Sequence, residues 1–253
     1  MKEFEKMAVL IDADNTQLQK LADILTEVSA YGRIIVKKAY GNFKKPALAK
    51  WENVIKELAI KAEQQFDYVS GKNTTDIAMV IDAMDLLHIG LYDAFVLVSS
   101  DSDFTPLAVR LKESGIFVIG VGEKKTPTAF CNACDQFIYL EYLGEEGKVE
   151  KKKKKTPPKK EKEVKYEEPE EDPQMEELHS LLHIAYEKYQ DDDDFVKVSS
   201  AGNYIKRVRP EFNPYQYGYS KLSDILKDYP ERYEVRKEGK GSSVMSYKCL
   251  DRG

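Results

Sequence analysis

The sequence has little cysteine, little histidine and no long apolar run, and each shortage removes a class of protein. Three cysteines, Cys131, Cys134 and Cys249, occur in 253 residues, too few for a disulfide framework, so reduced thiols are expected. Cys131 and Cys134 make a CxxC without a second pair, which leaves a structural zinc short of ligands. Two reduced thiols on a short helix are the expectation there. His88, His179 and His183 are scattered. The last two stand i, i+4 on a helix, a spacing that suits a metal but also plain packing or surface placement. No stretch approaches the roughly 20 apolar residues needed to cross a bilayer. No separate apolar segment of signal-peptide length precedes the first acidic cluster, so the cytoplasm is the expected compartment. No internal repeat is evident.

Positive charge is not in excess either. The net charge is -5, and its distribution says more than its size. Residues 1–145 hold 16 Lys and Arg against 21 Asp and Glu, residues 146–173 hold 10 against 9, and residues 174–253 hold 13 against 14. The acidic excess therefore sits in the first segment. A set of carboxylates gathered for a divalent cation produces such an imbalance, and so does an ordinary acidic surface.

What is present is a core-forming pattern, with 42% hydrophobic residues. In residues 1–145, apolar runs of strand length occur at Met7–Ile11, Ile34–Ala39, Phe66–Ser70, Ala94–Ser99 and Ile116–Val121, with a short one at Phe137–Leu140. Segments with helical spacing lie between them, such as Leu18, Leu21, Leu25 and Val28, or Ile77, Val80, Ile81, Met84 and Leu87. Continuous apolar strands alternating with helices predict an α/β, Rossmann-like domain with a mainly parallel sheet covered on both faces. Residues 146–173 break the pattern: Lys151–Lys155 is one run of charge, Pro157 and Pro158 follow, then Glu167, Glu168, Glu170, Glu171 and Asp172. Such a segment buries too little apolar surface to offset its ordering entropy and reads as a disordered linker. The lysine run offers an RNA contact or a targeting signal as alternatives to a solvated tether. Residues 174–253 then form a second domain. A helix over Met175–Tyr189, a loop at Asp191–Asp194, a helix from Ser199/Ser200 through Val208, a helix opened by Ser220, and strands Tyr233–Arg236 and Val244–Cys249 describe a winged helix-turn-helix.

Chemistry concentrates where strands end. Asp12 and Asp14 follow the first strand, Asp101 and Asp103 follow the fourth, and Asp76 opens the helix after the third. In open α/β sheets ligands bind beyond the carboxyl ends of strands near a reversal of strand order, so these side chains are brought to one sheet edge. Carboxylates so close stay ionised together only with a compensating cation. Mg²⁺ or Mn²⁺ suits an all-oxygen set, activates water and stabilises a departing phosphodiester oxygen. The absence of histidine nearby argues against a zinc hydrolase. A lone aspartate after a strand is more often a cap or turn former. Two such pairs plus Asp76 on one edge shift the balance.

Three stretches carry a resemblance: Val9-Leu10-Ile11-Asp12-Ala13-Asp14-Asn15, Lys72-Asn73-Thr74-Thr75-Asp76-Ile77 with Asp82, and Val98-Ser99-Ser100-Asp101-Ser102-Asp103-Phe104. Together they resemble the NYN domain, a family with a PIN-like nuclease fold, over residues 5–142. The downstream Leu107, Leu111, Gly115 and Val118 are similar to that family's helix and late core strand. The resemblance implies that Asp12, Asp76, Asp101 and Asp103 are the catalytic, metal-binding carboxylates. It implies support from Asn15 by hydrogen bonding, and from Ser99 or Ser100 in orienting a water or phosphate. Lys72 is either a phosphate contact or an exposed loop lysine. Asp14 is either a ligand or the cap of a helix over Thr16–Ala30. Asp82 falls six residues after Asp76, off the same helix face, and is a supporting or structural candidate.

The run Phe212-Asn213-Pro214-Tyr215-Gln216-Tyr217-Gly218-Tyr219-Ser220-Lys221-Leu222 resembles the OST-HTH/LOTUS domain over roughly 175–250. That resemblance implies an RNA-binding module or, as in a subset of the family, a contact with DEAD-box helicases. Lys206, Arg207, Arg209, Tyr217, Tyr219 and Lys221 are the residues for phosphate contact and base stacking; a solvated basic helix end with core tyrosines is the alternative. The combined expectation is a metal-dependent ribonuclease acting on single-stranded RNA, with a homodimer among its expected states. Two other readings stay open. Asp12-Ala13-Asp14-Asn15-Thr16 also fits the DxDxT nucleophile loop of haloacid-dehalogenase-like phosphatases, and a non-catalytic RNA-binding adaptor would keep the same fold.

Overall fold

The computed structural model describes residues 3–66, 73–144, 172–191, 193–237 and 244–250. The chain divides into two units, the first containing Met1–Glu145 and the second the bulk of the chain from Glu146 onward.

The first unit runs β1 (Phe4–Asp12), α1 (Leu21–Ser29), β2 (Gly32–Gly41), α2 (Trp51–Glu57), β3 (Lys61–Gln64), α3 (Thr74–Ile89), β4 (Ala94–Val98), α4 (Thr105–Glu113), β5 (Phe117–Gly122), α5 (Thr128–Ala133) and β6 (Gln136–Tyr139). The six strands pair in parallel in the order β3-β2-β1-β4-β5-β6, the α/β architecture the alternating pattern predicts. Alternation of side chains along β1 explains the two cores. Met7, Val9 and Ile11 pack with Ile24, Leu25 and Val28 of α1. Ala8 and Leu10 pack with Met79 and Ala83 of α3 and Leu107 and Leu111 of α4. Both faces of β1 are covered, so its run is apolar without a break. Helix α3 stops at Gly90, whose φ of +69° is a left-handed turn that suits glycine.

Two local expectations change. The third strand among the described residues is Lys61–Gln64; Phe66 follows it as irregular chain, and residues 67–70 of the expected run Phe66–Ser70 lie outside the described residues. The first helix does not begin at Thr16. A 3₁₀ turn covers Leu18–Lys20 and the α-helix opens at Leu21, so Asp14 is not its cap. The expected linker at 146–173 lies almost wholly outside the described residues.

The second unit packs α6 (Pro173–Tyr189), α7 (Val198–Val208) and α8 (Leu222–Asp228) with a three-stranded antiparallel sheet, β7 (Val196–Lys197), β9 (Met245–Cys249) and β8 (Tyr233–Lys237) in that order. Its core holds Leu178, Leu182, Ala201, Ile205, Ile225, Leu226 and Tyr247. Asp172 caps α6 by accepting from the Gln174 N–H, with Pro173 at the first turn. Helix α7 opens at Val198, which puts Ser199 and Ser200 inside its first turn, and α8 opens at Leu222 behind Lys221. The short β7 is a strand the sequence pattern did not announce. Among the described residues, no helix is long and apolar enough to cross a membrane.

Candidate functional site

Strand order reverses between β1 and β4: β2 and β3 lie to one side, β5 and β6 to the other. The crevice above this point, at the strands' carboxyl ends, is where such sheets receive ligands. Asp12 ends β1, and Asp101 lies three residues after β4. The switch point therefore carries the two acidic loops directly.

Asp12 is wholly buried. One carboxylate oxygen takes the Ser99 hydroxyl at 2.8 Å and the Asn15 side-chain amide at 2.9 Å; the other takes the Asp14 and Asn15 backbone N–H groups at 3.1 and 3.3 Å. Burial pushes its pKa up, while the Asn15 and Ser99 hydrogen bonds oppose the shift. Ser99 joins the two loops, because its hydroxyl oxygen also accepts from the Asp101 N–H at 3.1 Å. Gly122 lets the end of β5 lie close against Ser99: a Cβ there would stand 2.7 Å from the Ser99 carbonyl oxygen. Ser100 turns elsewhere and accepts from the Glu123 N–H at 2.9 Å. Asp101 accepts from the Asp103 N–H at 2.9 Å, closing a short turn into α4.

The start of α3 meets the same crevice. Asn73 donates to Asp103 at 3.0 Å, and the Thr75 hydroxyl donates to Asp14 at 3.3 Å. Asp76 feels the whole group. Its pKa is raised to about 6, first by burial and then by the negative charges of Asp12, Asp101, Asp103 and Asp14. The five aspartates thus share one electrostatic neighbourhood, with Asp14 and Asp103 at its exposed rim. Among the described residues, no group of three or more His, Cys, Asp or Glu side chains is arranged to hold a metal ion. The donor set is all oxygen, which fits a hard divalent cation in chemistry. A polar cavity of about 430 Å³ opens beside it, lined by Asp14, Thr16, Ser100, Asp101, Glu123 and Lys125.

Other candidates stand apart. Asp82 accepts from Lys38 at 2.6 Å and from the Tyr40 hydroxyl, so its hydrogen bonds serve a buried tyrosine and a half-buried lysine. Lys72 lies outside the described residues. Asn73 and Thr75 were missed as bridging residues; their adjacency to Asp76 was visible, but their partners come from loops 30 and 61 residues away. Cys131 and Cys134 are buried free thiols at the end of α5, with pKa values pushed up by burial. His179 is buried, paired with the Tyr233 hydroxyl at 2.7 Å and packed edge-on to Tyr229.

In the second unit, Lys206 and Arg207 occupy the last turn of α7 and Lys221 stands exposed before α8; Arg209, which follows α7 in sequence, falls to the first unit. Tyr217 packs on Phe212 with ring centroids 5.9 Å apart, and the Tyr219 hydroxyl donates to Asp228 at 2.6 Å. Both tyrosines border the core and are half-buried.

Comparison with known proteins agrees with this architecture. The family model of the NYN domain matches residues 6–141, more than half the chain, and that of the OST-HTH/LOTUS domain matches residues 173–245. An uncharacterised protein of Methanocaldococcus jannaschii is 29% identical over 159 residues, 58% of this chain; the chain spans 61% of that relative's length. The crystal structure of a protein of unknown function from Vibrio parahaemolyticus aligns with a TM-score of 0.46 at 17% identity, covering 55% of this chain and 94% of that one. The chain belongs to the NYN-domain family, within the PIN-like nuclease superfamily that hydrolyses nucleic acids, and carries an OST-HTH/LOTUS domain after it.

Proposed function

We propose that the protein is a Mg²⁺- or Mn²⁺-dependent ribonuclease of the cytoplasm, cutting single-stranded RNA at the crevice between β1 and β4. The observation that carries the reading is the gathering of Asp12, Asp14, Asp101 and Asp103 around Asp76, whose carboxyl is raised to about 6 first by burial and then by their charges. A divalent cation relieves that repulsion and, when bound, activates water and neutralises charge developing on a phosphodiester. Asp76, Asp101 and Asp103 would hold it. Asp12 would complete the set, its carboxylate oriented by the Asn15 amide and the Ser99 hydroxyl. Asp14 holds the start of α3 through Thr75, and Ser99 fixes Asp12 relative to Asp101. We assign residues 1–145 to the nuclease domain, 146–173 to a tether and 174–253 to a domain that recruits RNA, or a helicase, through Lys206, Arg207, Arg209 and Lys221.

The phosphatase reading needs Asp12 to attack phosphorus in line. Its carboxylate is wholly buried and engaged by Asn15, Asp14 and Ser99, which gives that reading no support. The test is incubation of purified protein with single-stranded RNA and Mn²⁺ or Mg²⁺. Wild type should cut and Asp101→Asn should not, with thermal melting unchanged within a few degrees. An Asp12-dependent phosphatase activity without RNA cleavage would reverse the assignment.

A further inference from the structure

The first unit is acidic overall, yet one part of it is strongly basic. Residues 33–61 hold eight Lys and Arg against two Glu, which is +6, while the rest of 1–145 carries -11. This basic part runs from β2 through α2 to Lys61, the first residue of β3, on the edge of the sheet beside β1. Several of its lysines are occupied within the fold: Lys38 on Asp82 and Glu63, Lys56 on Glu52, Lys61 on Glu63. The loop after β2 carries Lys44 and Lys45. Gln64 accepts from the Phe43 N–H at 3.0 Å and donates to Asn42 at 2.9 Å, which pins this loop to β3. Lys44 is thereby held exposed, its ammonium 5.2 Å from the centroid of the Phe66 ring. Phe66 itself is 53% exposed. Among the described residues, this open ring with a cation over it stands at the carboxyl end of the sheet.

Register fixes how far the two outer strands lie from Asp12. Asp12 pairs with Tyr40, and Tyr40 with Glu63. Neighbouring strands are spaced about 4.8 Å, so the row from Asp12 to Glu63 spans about 10 Å. Lys44 and Phe66 come just beyond the ends of those two outer strands, on the same edge of the sheet as the aspartates. Proteins that hold single strands combine aromatic platforms, on which bases stack, with cations that track the phosphates. Lys44, Lys45 and Phe66 supply both.

We propose that Phe66 is a base-stacking platform for single-stranded RNA and that Lys44 and Lys45 hold its phosphates, so that the strand enters the β1–β4 crevice over the β2–β3 edge. The inference rests on the ribonuclease reading for the strand's destination, but not for its binding. A lone ring accepts any base, so this contact carries no sequence preference. A duplex, whose bases are already stacked, gains nothing from it.

The test uses the full chain and a 5′-labelled 12-nucleotide oligouridylate in EDTA, where no cleavage occurs, followed by cleavage kinetics with Mn²⁺. Phe66→Ala should weaken binding of the single strand or raise KM about 5- to 150-fold, the range of one lost stacking contact. Phe66→Trp should restore it and Phe66→Leu should not, which separates stacking from apolar contact with a protein. Replacing Lys44 and Lys45 together by Ala should lower the salt dependence of binding by up to about 1.4 in log–log slope. Because the second unit contributes its own affinity, a 12-mer carrying 5-iodouridine is also cross-linked by ultraviolet light and the peptides mapped. Cross-links at residues 42–66 are expected. Their absence, together with an unchanged KM in Phe66→Ala, overturns the proposal while leaving the ribonuclease reading standing. Phe66-dependent binding and cross-linking in a protein that never cuts RNA supports the platform and removes the ribonuclease reading instead.

Discussion

Replacing Asp76 by Asn should make the metal-free protein more stable at neutral pH, although it removes a residue assigned to the site. The Asp76 carboxyl is raised from 3.8 to about 6 in the folded protein. The folded state therefore holds its proton more tightly than the unfolded chain does. Stability falls as pH rises from about 4 to about 6 and then stays level. A shift of about two units corresponds to at most ~3 kcal/mol at 1.36 kcal/mol per unit. Asp76 is half-buried, so solvent screening reduces this to about 1.5 kcal/mol. One effect opposes it: Asp76 sits in the first turn of α3, where a negative charge gains ~0.3–1 kcal/mol from the helix dipole. The net gain on removing the charge is about 1 kcal/mol, or ~2–4 °C in melting temperature for a unit of this size. The assay is thermal melting of both proteins in EDTA across pH 4 to 8. The variant should melt higher at pH 7.5, and the two curves should converge near pH 4. Added Mn²⁺ should raise wild type more than the variant. A variant that melts lower than wild type at pH 7.5 in EDTA, with the same pH slope, would refute the reading that burial and the neighbouring carboxylates disfavour the Asp76 charge.

Further outcomes follow from the hydrogen bonds. Ser99→Ala removes the hydroxyl that donates to buried Asp12 and accepts from the Asp101 N–H; it should cost about 1.5–3 kcal/mol in urea denaturation and lower cleavage, since a buried charge loses a donor. Tyr40→Phe takes one donor from Asp82 but leaves Lys38 in place. It should cost about 1–2 kcal/mol while kcat stays within twofold, separating the Asp82 cluster from the crevice.

The sequence was legible where a strand is covered on both faces. Ala8–Ile11 and Ala94–Val98 are fully buried, so their apolar runs marked both the strands and the acidic loops after them. It misled at the edge. Lys61-Ala62-Glu63-Gln64 is an edge strand with mostly polar side chains, so the apolar-run rule passes over it. The Lys44–Phe66 pair is not legible from the sequence, because the two residues lie 22 positions apart and meet only through the pairing of β2 with β3. Spacing along a helix excluded Asp82 from the carboxylate face but could not name its partners, which come from β2. Asp14 read equally well as a helix cap, and the later start of α1 decided against that. The tyrosines of the second unit carried a family pattern, yet Tyr217 and Tyr219 engage Phe212 and Asp228. Basic residues are therefore the better variants for testing RNA contact there.

The central claim is that the aspartates at the switch point of the sheet cut RNA with a divalent cation. The most direct measurement is single-turnover cleavage of a labelled single-stranded RNA by wild type and Asp101→Asn, each with Mn²⁺, with Mg²⁺ and with EDTA. Cleavage by wild type in the presence of metal, lost in EDTA and lost in the folded variant, is the predicted result. Equal cleavage by both proteins, or none by wild type with either metal, would contradict it.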